Sequence, residues 1–146
     1  MEKTCILVKP DAVCRNLTGQ VLTRLAAAGL SLRAAKMLKL SPVQAEQFYG
    51  EHKGKPFYEP LIQFMTAAPI VATVWESEGA IAKARAVMGA TNSLEAAPGT
   101  LRRDFGTNNR YNVVHGSDSP VAAEREIRFF FTPEEILTYQ DNDWKV

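Results

Sequence analysis

Cysteine and histidine are scarce in this chain, with two of each among 146 residues. Cys5 lies in an apolar, strand-like run and Cys14 in a turn-rich stretch, a spacing that suits neither a disulfide framework nor a metal cluster. With only His52 and His115 to add, a structural zinc site has little to be built from. Charge of one sign is lacking too: 17 Lys and Arg stand against 16 Asp and Glu, for a net charge of +1. That balance excludes a global basic field for steering onto nucleic acid, although it leaves room for a local cationic pocket. No apolar run approaches the length of a bilayer span. Met1-Glu2-Lys3 has neither the charged nor the apolar region of a signal peptide, so the expectation is a cytoplasmic protein with no membrane partner. Walker and kinase-type glycine loops are absent, which removes the common signatures of ATP use. What remains is an ordinary globular composition, 46% hydrophobic and 23% charged. It is consistent with one domain over residues 1–146 that buries about two-thirds of its unfolded surface.

Thr4-Cys5-Ile6-Leu7-Val8 reads as a buried strand that stops at the turn Lys9-Pro10-Asp11. Thr18 is the expected N-cap of a helix through Ala28, with an apolar stripe of Val21, Leu22, Leu25 and Ala28 and a stop at Gly29. Leu30 to Leu40 is extended by pattern. Ser41-Pro42-Val43-Gln44 is a capping box that opens a helix, and Phe57 to Ala67 resumes a helical period. Pro69 to Trp75 is a second apolar strand, and Gly79 to Met88 a helix. Gly89 to Arg110 is a long loop without clear periodicity, a length usually tied to function or disorder. Asn112 to His115 is the last strand. Ser119-Pro120 caps a further helix, and Thr132-Pro133-Glu134-Glu135 opens a short one. The expected fold is α+β: a ferredoxin-like βαββαβ core with a four-stranded antiparallel sheet, a helical-hairpin insertion and a long loop before the last strand. Helices would cover one sheet face; a partner subunit is one candidate cover for the other.

The segment Asn112-Val113-Val114-His115-Gly116-Ser117-Asp118 carries most of the chemical information. Two β-branched residues lead into a histidine with glycine behind it, which places an imidazole at a strand end among small and polar neighbours. Neutral imidazole offers a lone pair near pH 7, so it serves as nucleophile or base. Lys9 at the exit of the first strand, Arg85, Arg102 and Thr91 would suit a polyphosphate if they converged on it. Glu126, eleven residues beyond His115 on the next helix, can hold one ring N–H and leave the other nitrogen for attack. Phe57 offers a stacking platform for a base, and the Tyr49 hydroxyl could orient the imidazole. Each residue also has a plainer role open to it: solvated charges for the basic residues, a surface acid paired with Arg125 or Arg128 for Glu126, a core residue for Phe57.

Taken together, these residues resemble the nucleoside diphosphate kinase family over nearly the whole chain. The marks are Val8-Lys9-Pro10-Asp11-Ala12-Val13, His52-Lys53-Gly54-Lys55-Pro56-Phe57, Met88-Gly89-Ala90-Thr91-Asn92, Pro98-Gly99-Thr100-Leu101-Arg102 and the Asn112 to Asp118 segment, the last being the specific one. The resemblance implies ping-pong transfer of the terminal phosphate of a nucleoside triphosphate, usually ATP, to a nucleoside diphosphate, maintaining NTP and dNTP pools. It makes His115 the nucleophile, phosphorylated on Nδ1, with Glu126 holding Nε2–H and Ser117 hydrogen-bonded to Glu126. Tyr49 would help position His115. Lys9, Arg85, Thr91 and Arg102 would hold phosphates, with Lys9 also reaching the sugar; Asn112 would bind the ribose and Phe57 stack on the base. Magnesium would arrive with the nucleotide, with no dedicated protein cage. The partners implied are nucleoside tri- and diphosphates and further copies of the chain, as a tetramer or hexamer built from dimers.

Some positions depart from the family pattern. Ser93 stands where many relatives have proline, so that part of the loop is expected to be less rigid. Tyr111 and Arg103 are unusual neighbours for Asn112 and Arg102 and would alter loop contacts between subunits. The tail from Thr138 to Val146 looks like an extension that docks on something, a neighbouring subunit in the family. A βαββαβ core also serves nucleic-acid-binding modules, but those display aromatics on central strands where this chain has Cys5-Ile6-Leu7-Val8 and Val113-Val114. A specific nucleic-acid partner is not expected.

Overall fold

The computed structural model describes residues 1–146. Four strands form one sheet: β1 (Glu2–Val8), β2 (Ser31–Leu38), β3 (Ile70–Ser77) and β4 (Val114–Gly116). Their spatial order is β2-β3-β1-β4, and every neighbouring pair is antiparallel. This is the ferredoxin-like arrangement expected from the element order. Seven α-helices complete the chain: α1 (Pro10–Cys14), α2 (Thr18–Ala27), α3 (Pro42–Phe48), α4 (Tyr58–Thr66), α5 (Ala80–Met88), α6 (Leu101–Phe105) and α7 (Pro120–Phe130).

Strand alternation sends side chains to two cores, one on each sheet face. Ile6, Val8, Val71 and Trp75 pack with Val21 and Leu25 of α2, Ala84 and Met88 of α5, and Leu101 of α6. Cys5, Leu7, Ala72 and Val74 pack with Phe48 of α3, Ile62 and Met65 of α4, and Ile127 and Phe130 of α7. The second face is therefore covered by the helical insertion and α7 of the same chain, and needs no partner subunit as its cover. Burying each large side chain contributes about 1.5–3 kcal/mol. Trp75 keeps its polar handle satisfied, donating its indole N–H to Thr73 Oγ1 at 2.8 Å, and that hydroxyl donates to the Ile6 carbonyl at 2.7 Å.

Caps set several boundaries as anticipated. Ser41 and Gln44 form the reciprocal capping box of α3, and Ser119 Oγ accepts from the Ala122 N–H at the start of α7. Other boundaries differ. Thr18 is the first helical residue of α2 rather than its cap; Leu17 holds the cap position without a side-chain bond. The turn expected at Lys9-Pro10-Asp11 is the start of helix α1, with Pro10 in its first turn, where a missing N–H costs nothing. The long segment from Gly89 to Arg110 holds a 3-10 turn at Ser93–Glu95 and helix α6. Ser93 is 2% exposed and sits so close to Gly106 that a Cβ there would come within 1.9 Å of its Oγ. Close packing, not a proline ring, holds this part of the loop.

The last strand is shorter than anticipated and shifted. It begins at Val114 because Val113 has φ +76°, a region that costs a β-branched residue about 1–3 kcal/mol. Gly116 belongs to the strand, opposite Ile6, so His115 is its middle residue, opposite Leu7. Only the start of the tail meets its own chain: just after Leu137, whose N–H donates to the Arg33 carbonyl at 2.9 Å, the Tyr139 hydroxyl donates to the Leu32 carbonyl, while Trp144 further on is exposed. Both bonds meet β2 where its register shifts between Leu32 and Ala34.

Candidate active site

Three elements bring the chemistry together. The short strand β4 presents His115; the exit of β1 supplies Lys9; helix α7, lying across the sheet, supplies Glu126. His115 Nε2 lies 2.9 Å from Glu126 Oε1, and the same oxygen accepts from the Ser117 hydroxyl at 2.8 Å. Ser117 Oγ in turn accepts from the Cys5 N–H at 3.3 Å. Glu126 is 3% exposed, so it is a buried carboxylate and not a surface acid, although Arg125 Nη2 stands 3.5 Å from its other oxygen. A buried carboxylate acts only as acceptor, so the contact fixes the proton on Nε2 and leaves the lone pair on Nδ1.

Aromatic side chains restrict the imidazole further. Phe48 meets it edge-on with centroids 5.4 Å apart, and Tyr49 does so at 6.4 Å. Burial, with Glu126 and Cys5 nearby, pushes the Tyr49 hydroxyl well above the ordinary tyrosine range, so it stays protonated. Phe48 was not anticipated from sequence, because a phenylalanine on the apolar face of a helix carries no mark that separates packing from positioning.

His115 opens onto a cleft of about 570 Å³ lined by Lys9, Tyr49, Phe57, Arg85, Thr91, Arg102 and Asn112. Every cleft-facing residue expected from sequence thus converges, while Glu126 and Ser117 stand behind the histidine. Asn108, Asn109, Arg110 and Asp118 also line the cleft and were not assigned a role from sequence; the first three are consecutive polar loop positions that gave no periodic signal. Phe57 is 43% exposed, as a stacking face must be.

The basic residues are tied into the protein. Lys9 Nζ donates to Asn112 Oδ1 at 2.7 Å and to the Arg110 carbonyl at 3.0 Å. Burial lowers its pKa to about 8, with Asp11 acting upward and Arg102 and Arg110 pushing further down. Arg102 donates to the carbonyls of Asn112 (3.3 Å), Gly89 (3.0 Å) and Val114 (2.8 Å). These bonds use three of the five guanidinium N–H groups, which leaves two for a ligand. Burial and neighbouring Arg85 bring its pKa down to about 10, so it remains a cation at neutral pH. Arg85 Nη1 donates to the Gly116 carbonyl at 3.3 Å. The Asn112 amide is a clamp: its Nδ2 donates to the carbonyls of Thr91 (2.8 Å) and Asn109 (3.3 Å). Two residues unusual for the family pattern make contacts inside the chain. Tyr111 packs edge-on against Phe64 with centroids 4.9 Å apart, and Arg103 donates to the Leu94 carbonyl at 2.9 Å.

An imidazole with one nitrogen fixed, beside fixed cations and an exposed aromatic face, can accept and return a group with several anionic oxygens. Comparison with known proteins agrees. A family model described as nucleoside diphosphate kinase matches residues 2–136. A nucleoside diphosphate kinase of Carboxydothermus hydrogenoformans is 51% identical over 140 residues, covering 96% of this chain and 94% of that protein. One of Staphylococcus epidermidis is 47% identical over 146 residues, 99% of this chain and 98% of the relative. Among solved structures, a halophilic nucleoside diphosphate kinase from Halobacterium salinarum in complex with CDP superposes with a TM-score of 0.93 at 41% identity, covering 97% of this chain and 95% of that one. The Aquifex aeolicus nucleoside diphosphate kinase gives 0.91 at 42% identity, covering 93% and 99%.

Proposed function

The chain belongs to the nucleoside diphosphate kinase family, and we propose that it carries the transferred phosphoryl group on Nδ1 of His115. The observation that carries this reading is the Glu126 clamp on Nε2, 2.9 Å away, which leaves Nδ1 without a partner in a cation-lined cleft. In the first half-reaction the Nδ1 lone pair bonds to the terminal phosphorus of a nucleoside triphosphate, usually ATP. The phosphorus–oxygen bond to the diphosphate breaks, and its electron pair leaves with that oxygen. The ring becomes cationic while its Nε2–H stays on Glu126, whose carboxylate opposes the new charge. Ser117 holds the carboxylate in place. The second half-reaction reverses these steps with a different nucleoside diphosphate, so the bond broken and the bond formed are of one kind and the net equilibrium lies near neutral. This exchange maintains NTP and dNTP pools.

Lys9, Arg85, Arg102 and Thr91 neutralise and orient phosphate oxygens, which is most of what phosphoryl transfer asks of a protein. Lys9 also reaches the sugar, and Asn112 accepts from a ribose hydroxyl at the free lone pair of Oδ1. Phe57 stacks on the base, and a π-face tolerates any base. Tyr49 keeps the imidazole from rotating. Magnesium arriving with the nucleotide would add positive charge against the phosphate oxygens. Asp118 is the sole carboxylate lining the cleft, and no three His, Cys, Asp or Glu side chains stand together as a cage. Phosphate and water would therefore supply most of its ligands.

The setting proposed is the cytoplasm, with residues 1–146 acting as one domain in a tetramer or hexamer built from dimers, and with no specific nucleic-acid partner. No helix is long and apolar enough to cross a membrane. Incubation with terminally labelled ATP should leave acid-labile, alkali-stable label on His115 and none on His115→Ala. Label retained by the variant would remove the nucleophile.

A further inference from the structure

Asp11 does not line the cleft, yet its carboxylate reaches the peptide chain just before the nucleophile. Val113 is fully buried with φ +76°, and the Val114 N–H donates to the Asn112 carbonyl at 2.9 Å. A bond from residue i+2 back to residue i around a positive φ is the γ-turn of the rare, strained hand. Valine does not hold that shape by itself, and two long-range bonds pin it. The Val113 N–H donates to Asp11 Oδ2 at 3.1 Å, and the Lys9 N–H donates to the Val113 carbonyl at 2.8 Å. The Asp11 side chain is 11% exposed, and its Oδ1 is buried with no partner. A desolvated carboxylate with one oxygen unpaired is costly to maintain. Its Oδ2 also meets half-exposed Arg15 Nη2 at 3.5 Å, but its shorter and less exposed contact is the one on the strained turn.

We propose that Asp11 is a positioning residue of the transfer centre: by holding the Val113 turn, its carboxylate sets the direction in which β4 presents the His115 imidazole. The inference rests on the phosphohistidine reading above. Strand β4 starts directly after the turn and is three residues long, Val114–Gly116, so little else averages out a change in its entry angle. On the other side of the turn, Asn112 is clamped to Lys9 Nζ at 2.7 Å. Relaxing Val113 to negative φ therefore displaces the nucleophile and the phosphate-holding cation relative to each other. Asp11 also opposes burial, Arg102 and Arg110 in their effect on the Lys9 ammonium.

The test is single-turnover labelling of His115 by terminally labelled ATP, with nucleotide affinity measured separately. Asp11→Ala should slow labelling by about 10- to 100-fold, the usual cost of misplacing a reacting group by about an ångström, and change affinity less. Adding Val113→Gly to that variant should recover several-fold in rate, because glycine adopts positive φ without a Cβ clash. If Asp11 merely supported the fold, deleting a second buried side chain would lower the rate further, and that result overturns the proposal. Asp11→Asn keeps an acceptor for the Val113 N–H and should label at close to the native rate below neutral pH, where Lys9 keeps its charge without help from the Asp11 carboxylate. A rate as low as that of Asp11→Ala would contradict the turn-holding role, and it is the decisive comparison if the alanine variant folds poorly. Native rates in Asp11→Ala also overturn the inference while leaving the phosphohistidine reading intact. An unlabelled native protein overturns both.

Discussion

Replacing Glu126 by glutamine separates shape from charge at the back of the imidazole. Glutamine has the same length and still offers an oxygen to both donors that now meet Oε1, His115 Nε2 at 2.9 Å and Ser117 Oγ at 2.8 Å. What disappears is the negative charge. A hydrogen bond to an ionised acceptor contributes about 1.5–3 kcal/mol, against about 0.5–1.5 kcal/mol for a neutral one. With a neutral imidazole the difference is at its smallest. It grows as Nδ1 bonds to phosphorus and the ring becomes cationic, so the loss falls mainly on the transition state. A loss of about 1–2 kcal/mol there corresponds to phosphorylation roughly 5- to 30-fold slower. Stability should hold or rise, because a neutral amide replaces a carboxylate that is 3% exposed and pays a desolvation cost. Rapid-quench labelling at saturating nucleotide gives the rate, and urea unfolding gives the stability. An unchanged labelling rate, or a loss confined to KM, would refute the idea that the carboxylate answers charge developing on the ring.

Arg102→Lys should destabilise the protein by about 1–3 kcal/mol for each carbonyl left unsatisfied, since one ammonium cannot reach all three carbonyls bridged by the buried guanidinium. The urea midpoint checks this, and a native midpoint contradicts the clamp. Lys9 yields opposite trends with pH. Its folded pKa of about 8 lies below the ordinary 10.5, so the unfolded chain binds more protons in that window and this group's stability contribution rises with pH. Activity moves the other way: kcat/KM should fall as pH passes about 8 and the ammonium loses its charge. A flat profile across the window removes Lys9 from phosphate binding. Finally, a thiol reagent should modify exposed Cys14 in the native protein but reach Cys5 only on unfolding, because burial both hides that thiol and raises its pKa. Mass spectrometry of modified peptides distinguishes the two.

The sequence carried the two central strands well because Cys5-Ile6-Leu7-Val8 is apolar without a break and Ile70 to Trp75 is apolar but for Thr73, as strands covered on both faces tend to be. It carried the α3 start because a capping box is a local device, complete within Ser41 and Gln44. Val113-Val114-His115 misled on the strand boundary for a physical reason. Two β-branched residues favour extended backbone, and what overrides that preference at Val113 is a carboxylate 102 positions earlier in the chain. Convergence of Lys9, Arg85, Arg102 and His115 was suggested by residue types and by family likeness, whereas Arg102's grip on three backbone carbonyls leaves no trace in sequence. Phe48 was missed because its contact with His115 spans 5.4 Å across two elements and uses the same face that packs the core.

Strand β4 is one border of the sheet, opposite β2. Since the Val113 carbonyl accepts from Lys9 and the Ser117 N–H donates to Cys5, the carbonyls of Val114 and Gly116 point outward, where a raw border invites a strand from another molecule. The guanidinium groups of Arg102 and Arg85 occupy those two oxygens. Stripping both arginines would thus open a sticky seam beside the reaction centre, and the damage would register as self-association as well as lost turnover.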